Sequence, residues 1–221
     1  MMKTTLTIVA LALATSASAQ ESPLWMRYCA ISPDGSAVAF TYKGDIYTVP
    51  TTGGTARQLT TNAAFDTHPV WSPDSKQLAF CSNREGSMDV YVMQREGGTP
   101  RRLTTNSNSE TPIAFKDNNT VLYTSSIMPS AKSIIFANRM LPQVYEVDTN
   151  GSRPHLFSAL PMMDISIRPN GDLLYHDQKG YEDPWRKHHR SPITRDIWLR
   201  RGGKYTKLTN FNGEDRTPVW A

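Results

Sequence analysis

Beyond its first twenty residues the chain alternates short apolar and β-branched runs with clusters of Gly, Pro, Asn, Asp and Ser. In SAVAF (36–40) and KQLAF (76–80) the apolar residues crowd together, as in strands covered on both faces. In DIYTV (45–49) and DVYVM (89–93) β-branched and aromatic residues favour strand over helix. Proline in the Ser-Pro-Asp segments presets φ near −65° for a turn. The Asp-Gly and Gly-Gly pairs supply the positive φ of tight hairpins. No window after the opening stretch combines a 3.6-residue period with caps at both ends. The pattern predicts short antiparallel strands joined by tight turns.

These elements recur in phase. Residues 30–62 (AISPDGSAVAFTYKGDIYTVPTTGGTARQLTTN) and 70–106 (VWSPDSKQLAFCSNREGSMDVYVMQREGGTPRRLTTN) share one plan. Each has a Ser-Pro-Asp turn, an apolar strand, an Asp-Ile/Val-Tyr strand, a Gly-Gly turn and a closing QLTTN or RLTTN. A third, diverged copy reads IAFKDNNTVLYTSS and then QVYEVDTNGSRPHLFS, with Asn150-Gly151 for the glycine pair. A fourth reads ISIRPNGDLLYHD and then RDIWLRRGGKYTKLTN. The turn positions Pro33, Pro73, Lys116 and Pro169 are spaced 40, 43 and 53 residues apart, and Trp220 repeats Trp71 at the head of a fifth unit.

A four-stranded repeat of ~40–45 residues is a β-propeller blade, which must stack on neighbours because it cannot cover both faces alone. The expectation is an all-β propeller of four-stranded antiparallel blades at roughly 23–67, 68–110, 111–163 and 164–215, with 216–221 opening a fifth. In-phase repetition argues against an open β-sandwich. A four-bladed ring closed by TPVWA is the alternative, but RYCAIS already supplies the first strand of blade one. A fragment of a larger propeller is therefore expected, poorly soluble alone because its blade edges are bare.

Lys3, the apolar run 6–14 and the small residues Ala17 to Ala19 form a secretory signal peptide, 1–19, with cleavage expected after Ala19. The run is shorter than the roughly 20 residues of a membrane span. The mature chain, 20–221, is expected in the periplasm or outside the cell, without a membrane span. The net charge of +4 over the full sequence, about +3 without Lys3, arises from scattered Lys and Arg, with no basic stripe interleaved with aromatics, so nucleic acid is not an expected partner. Cys29 and Cys81 read either as two free thiols on neighbouring strands or as a disulfide, and both readings stay open.

Candidate chemistry is sparse. The sequence holds no G-x-S-x-G, H-E-x-x-H, Cys-x-x-Cys or P-loop. Asp34 and Asp74 recur with the fold and read as turn residues. His68, His155 and His176 fall at different repeat positions. No catalytic residue, metal or cofactor is expected. The conspicuous non-repeating stretch is QKGYEDPWRKHHRSPITR (178–195), between strands two and three of unit four. Insertions there emerge at a propeller rim, where binding surfaces are built. Trp185, Arg186, His188, His189 and Arg190 are the candidate substrate or partner contacts, the arginines suited to a peptide carboxylate. The alternatives are a solvated loop anchored by Tyr181 and Trp185, or a metal site with Asp183. Adjacent histidines on a strand face opposite ways, which disfavours the metal. A more apolar insertion in unit three, 125–141, reads as a packing surface for a neighbouring domain or as a hairpin excursion.

The units ISPDGSAVAFTYKGDIYTVPTTGGTARQLT and HPVWSPDSKQLAFCSNREGSMDVYVMQREGGTPRRLT resemble repeats of three propeller groups: the Tol-Pal system β-propeller protein, prolyl oligopeptidase-type propellers and the tricorn protease family. The whole arrangement is more specific. A signal peptide leads almost at once into PLWMRYCAISPDGS, followed later by SETPIAFKDNNTVLYTSSIMPSA and GYEDPWRKHHRSPITRDIW. This resembles the N-terminal propeller of exported tricorn-type serine peptidases over essentially all of the mature chain. The resemblance implies a non-catalytic propeller that gates or docks peptides or unfolded proteins. Their processing falls to downstream PDZ and peptidase domains absent from this chain, so no catalytic residue carries over. The runner-up is a periplasmic protein-interaction propeller similar to the Tol-Pal protein. That family carries an α/β domain before its propeller, for which about three residues after the cleavage site leave no room. A propeller lyase or hydrolase would need a channel cluster repeated across blades.

Overall fold

The structure, a computed structural model, describes residues 25–127, 142–179 and 192–220. Their regular structure is all β, in four antiparallel sheets of four strands, each in sequence order. Blade one comprises β1 (Arg27–Ile31), β2 (Ala37–Tyr42), β3 (Asp45–Pro50) and β4 (Arg57–Gln58). Blade two comprises β5 (Asp66–Trp71), β6 (Gln77–Glu85), β7 (Ser87–Gln94) and β8 (Gly97–Arg102). Blade three comprises β9 (Glu110–Asp117), β10 (Thr120–Ser125), β11 (Gln143–Asp148) and β12 (His155–Ser158). Blade four comprises β13 (Met162–Ile167), β14 (Leu173–Asp177), β15 (Ile197–Arg201) and β16 (Lys204–Lys207). The first strands β1, β5, β9 and β13 neighbour one another in turn, as the inner strands of a propeller do.

The repeated motifs are hydrogen-bonding devices. In the first turn Ser32 Oγ donates to Asp34 Oδ1 at 2.6 Å and accepts from Ala37 N at 2.9 Å. Ser72, Asp74 and Gln77 repeat this at 2.7 and 2.9 Å. Hydrogen bonds from Ser32 and Ser36, with Arg95 of blade two, hold the Asp34 carboxyl well below the usual carboxylate range. The turns also tie neighbours together: Asp34 N donates to Ser75 Oγ, and Asp74 N to Asn118 Oδ1, each at 3.0 Å. In the closing motif, Thr60, Thr104 and Thr209 accept through Oγ1 from Ile46 N, Val90 N and Ile197 N at 2.9–3.1 Å. That threonine satisfies an amide of strand three in three blades.

The core lies between blades. Ala39, Ile46, Leu78 and Phe80 meet Trp71 at the first interface. Ala79, Val90, Val121 and Tyr123 form the second, and Leu122, Val144, Met162 and Leu173 the third. Consecutive residues such as Leu78 and Ala79 serve different interfaces, which is why these strands read as unbroken apolar runs. Trp71 Nε1 donates to Ala30 O at 3.0 Å, and Trp220 Nε1 donates to Ser166 O at 3.0 Å. Residues 217–220 thus lie on blade four as β5 lies on blade one.

Candidate functional site

Each inner strand is irregular where it pairs with its neighbour. The register shifts between Arg27 and Ala30, between Thr67 and Val70, and between Met163 and Ser166, and twice in the β9–β10 pair. In three of these bulges a non-glycine residue takes positive φ: Tyr28 at 53°, His68 at 53° and Asp164 at 48°. Thr217, three residues before Trp220 as His68 is before Trp71, has φ 52°. A left-handed conformation costs such a residue roughly 1–2 kcal/mol and re-aims its side chain, a device concentrated at functional sites.

Here the re-aimed side chains meet. The rings of Tyr28 and His68 lie with centroids 3.6 Å apart. Thr217 Oγ1 donates to Asp164 Oδ2 at 2.9 Å. His176, at the end of β14, places Nδ1 3.5 Å from the same carboxylate oxygen and accepts there from Thr217 N at 3.4 Å. With Nδ1 accepting, the proton of the neutral ring sits on Nε2. Burial lowers the pKa of both His68 and His176; Asp164 opposes this in each, while Arg195 and Arg216 reinforce it at His176. At neutral pH the cluster therefore holds two uncharged imidazoles.

Cys29, Asp164 and Thr217 also line an open cavity of 610 Å³ between the first strands. Its walls are otherwise largely apolar, with Ala30, Val70, Ile113, Ile165 and Val219 from successive elements. Apolar walls with hydrogen-bonding groups from the bulges suit binding of an extended ligand. Among the described residues no serine hydroxyl is bonded to a histidine. Nor are three His, Cys, Asp or Glu side chains among them placed to hold a metal.

The sequence-predicted contacts Trp185, Arg186, His188, His189 and Arg190 lie outside the described residues, as do 128–141 of the other insertion. The base of the 178–195 stretch is described. Lys179 Nζ donates to Thr194 O at 2.7 Å and pairs with Asp196 at 2.5 Å. Trp198 Nε1 donates to Asp177 Oδ2 at 3.0 Å. This clamp begins one residue beyond His176, so the described base of the stretch lies beside the cluster. Sequence reading had separated the histidines by repeat position. The structure brings His176 to 3.5 Å from Asp164, places His68 where the same carboxylate acts on it electrostatically, and leaves His155 exposed on β12. The available signal was that Tyr28, His68 and Asp164 each stand five residues before a turn proline. Cys29 is exposed and Cys81 buried, both as free thiols. Burial pushes the Cys81 thiol up to about 12.

The family model described as the tricorn protease N-terminal beta propeller domain matches residues 23–221. Tricorn protease homolog 1 of Streptomyces coelicolor is 28% identical over 203 residues, which is 90% of this chain and 18% of that protein. The crystal structure of the tricorn protease matches with a TM-score of 0.70 at 18% identity, over 90% of this chain and 20% of that one. The structure of a putative TolB from Agrobacterium tumefaciens matches with a TM-score of 0.60 at 25% identity, over 84% of this chain and 66% of that one. This chain thus spans about a fifth of the length of the tricorn relatives it matches.

Proposed function

Since this chain belongs to the family of tricorn protease N-terminal beta propeller domains, we propose that it is the non-catalytic propeller of an exported tricorn-like serine peptidase. In this role it admits and docks unfolded peptides for a catalytic domain elsewhere in that polypeptide. Residues 1–19 direct its export. The 610 Å³ cavity carries this reading: one strand from each blade walls it with apolar groups, and Asp164 and Thr217 bring hydrogen-bonding groups into it. An unfolded segment needs both, the first for its side chains and the second for its backbone.

Cys29 supplies the test, since it lines the cavity and is exposed. A short unstructured peptide should slow its alkylation, and Asp164→Asn with Thr217→Val should weaken that protection. A peptide that binds while Cys29 reacts at its free rate would place docking elsewhere and defeat the proposal. The second reading, a periplasmic interaction propeller, draws support from the match to the putative TolB. It predicts that folded envelope proteins bind and that unfolded peptides do not.

A further inference from the structure

Blade two contains a buried cation site that the chain fills itself. Asp66 pairs with Ser82 across β5 and β6, and Arg84 stands two residues beyond Ser82. Arg84 Nη2 donates to both Asp66 oxygens at 3.0 Å. Its guanidinium lies 4.6 Å from the centre of the Tyr91 ring and 5.5 Å from that of Phe80. These two rings belong to facing residues of β6 and β7, stacked at 5.9 Å. Carboxylate, stacked pair and guanidinium make a complete cation site.

Among the described residues, blade three repeats every part except the cation. Glu110 faces Ser125 as Asp66 faces Ser82. Tyr123 and Tyr145 face each other as Phe80 and Tyr91 do, and their rings stack at 5.6 Å. Two residues beyond Ser125, where blade two has Arg84, stands Ile127, its carbonyl accepting from Tyr145 Oη at 2.8 Å. Glu110 is 1% exposed and Tyr123 0%, yet among the described residues Glu110 Oε2 and Tyr123 Oη have no well-formed hydrogen bond, only a loose contact between the two side chains themselves. Both residues line a cavity of 370 Å³ with Ile127, Tyr145, Asn106 and Arg153. That volume lies at the lower end of small-ligand sites, roughly 300–1,000 Å³.

The local charges do not balance either. Asp66, Asp89 and Glu110 all act on Cys81 between them, whereas the paired cations are Arg84 and Arg102. Among the described residues one of the three carboxyl groups, that of Glu110, is left without a paired cation.

We propose that the Glu110–Tyr123–Tyr145 pocket binds a guanidinium or primary ammonium group, presented by a basic side chain or the amino terminus of a docked peptide. The cation site stands on blade geometry alone; only its peptide source rests on the docking reading above. The carboxyl behaves as an unfilled site should. Burial pushes Glu110 up to about 7, against hydrogen bonds from Thr104 and Asn106, with Asp89 adding to the rise and Arg102 opposing it. Tyr123 and Tyr145 face it as neutral phenols, both raised by burial, and Arg153 on the rim is exposed and solvent-screened. A cation displaces the proton, so binding strengthens as pH rises through about 7.

The test is calorimetric titration of the folded chain with methylguanidinium, spermidine, an arginine-containing peptide and the same peptide with citrulline. Methylguanidinium should bind saturably at pH 8, and about tenfold more weakly at pH 6. The arginine peptide should outbind both spermidine and its citrulline counterpart. Glu110→Gln keeps the shape, removes the charge and should weaken binding about ten- to a hundredfold. Ile127→Arg supplies the blade-two cation and should abolish binding while raising Tm. Absence of saturable methylguanidinium binding at pH 8, or binding unchanged in both variants, overturns the site. Spermidine binding more tightly than the arginine peptide overturns the peptide source. Methylguanidinium binding without peptide protection of Cys29 supports the site and removes the docking reading; protection without it does the reverse.

Discussion

Replacing Arg84 by methionine tests how the inner end of blade two is held. Arg84 is the cationic partner of Asp66, whose side chain is 0% exposed and whose two oxygens both lie 3.0 Å from Nη2. Arg84 Nε also donates to Ser82 Oγ at 2.9 Å. Methionine retains the length of the stem and its contact with Tyr91, so little apolar packing is lost. What remains is the charge. Breaking a buried pair by removing one partner costs about 3–5 kcal/mol, because the other charge stays buried and uncompensated. In a domain of this size each kcal/mol moves Tm by ~2–4 °C, so Tm should fall by roughly 6–20 °C. Thermal melts followed by circular dichroism read this directly. Adding Asp66→Asn removes the stranded charge and should recover most of the loss, since replacing both partners of a buried pair is often near neutral. A single-variant shift under about 2 °C, on the same scale, would refute the reasoning. So would a double variant no more stable than the single one.

Trp71→Phe keeps the ring in the first interface but leaves Ala30 O without its donor. It should cost about 1–2 kcal/mol in urea unfolding, and a loss below about 0.3 kcal/mol contradicts the inter-blade role of that bond. Burial lowers His68 and His176 in the fold, while an unfolded histidine protonates near pH 6.5. The unfolded chain therefore binds more protons below about pH 6.5, and these groups remove stability as pH falls through that window. His176→Gln should flatten the decline of Tm between pH 6.5 and 5, and an unchanged slope contradicts the burial argument. Cys29 should react with a thiol reagent in the native protein and Cys81 only after unfolding, so the titre should rise from one thiol to two. A native titre of zero that needs reductant to rise reveals a disulfide instead.

The blade was legible in the sequence because the chain repeats it. Each copy of Ser-Pro-Asp, Asp-Ile/Val-Tyr and Leu-Thr-Thr corroborates the others, and the structure gives each motif a bond to make. The cluster around Asp164 was not legible. His68 belongs to an inner strand and His176 to a second strand, and only bulges and blade stacking bring both under the influence of one carboxylate. The Glu110 pocket was hidden for a different reason. In a list of residues Glu110 looks like one more polar position ahead of a strand. Its missing partner shows only when strand registers align it with Asp66 and put Ile127 at the blade-three position equivalent to that of Arg84. The basic insertion was the easiest feature to single out by composition, and the described part of it is a clamp, Lys179 to Asp196 and Thr194.

The most direct measurement of the central claim is to bind an unstructured peptide carrying a photo-crosslinker to the folded chain and map the adducts by mass spectrometry. A docking channel predicts adducts on cavity-facing residues of the inner strands and the 217–219 segment, Cys29, Ile113, Ile165 and Val219 among them. Adducts confined to the outer strands β4, β8, β12 and β16 would contradict it.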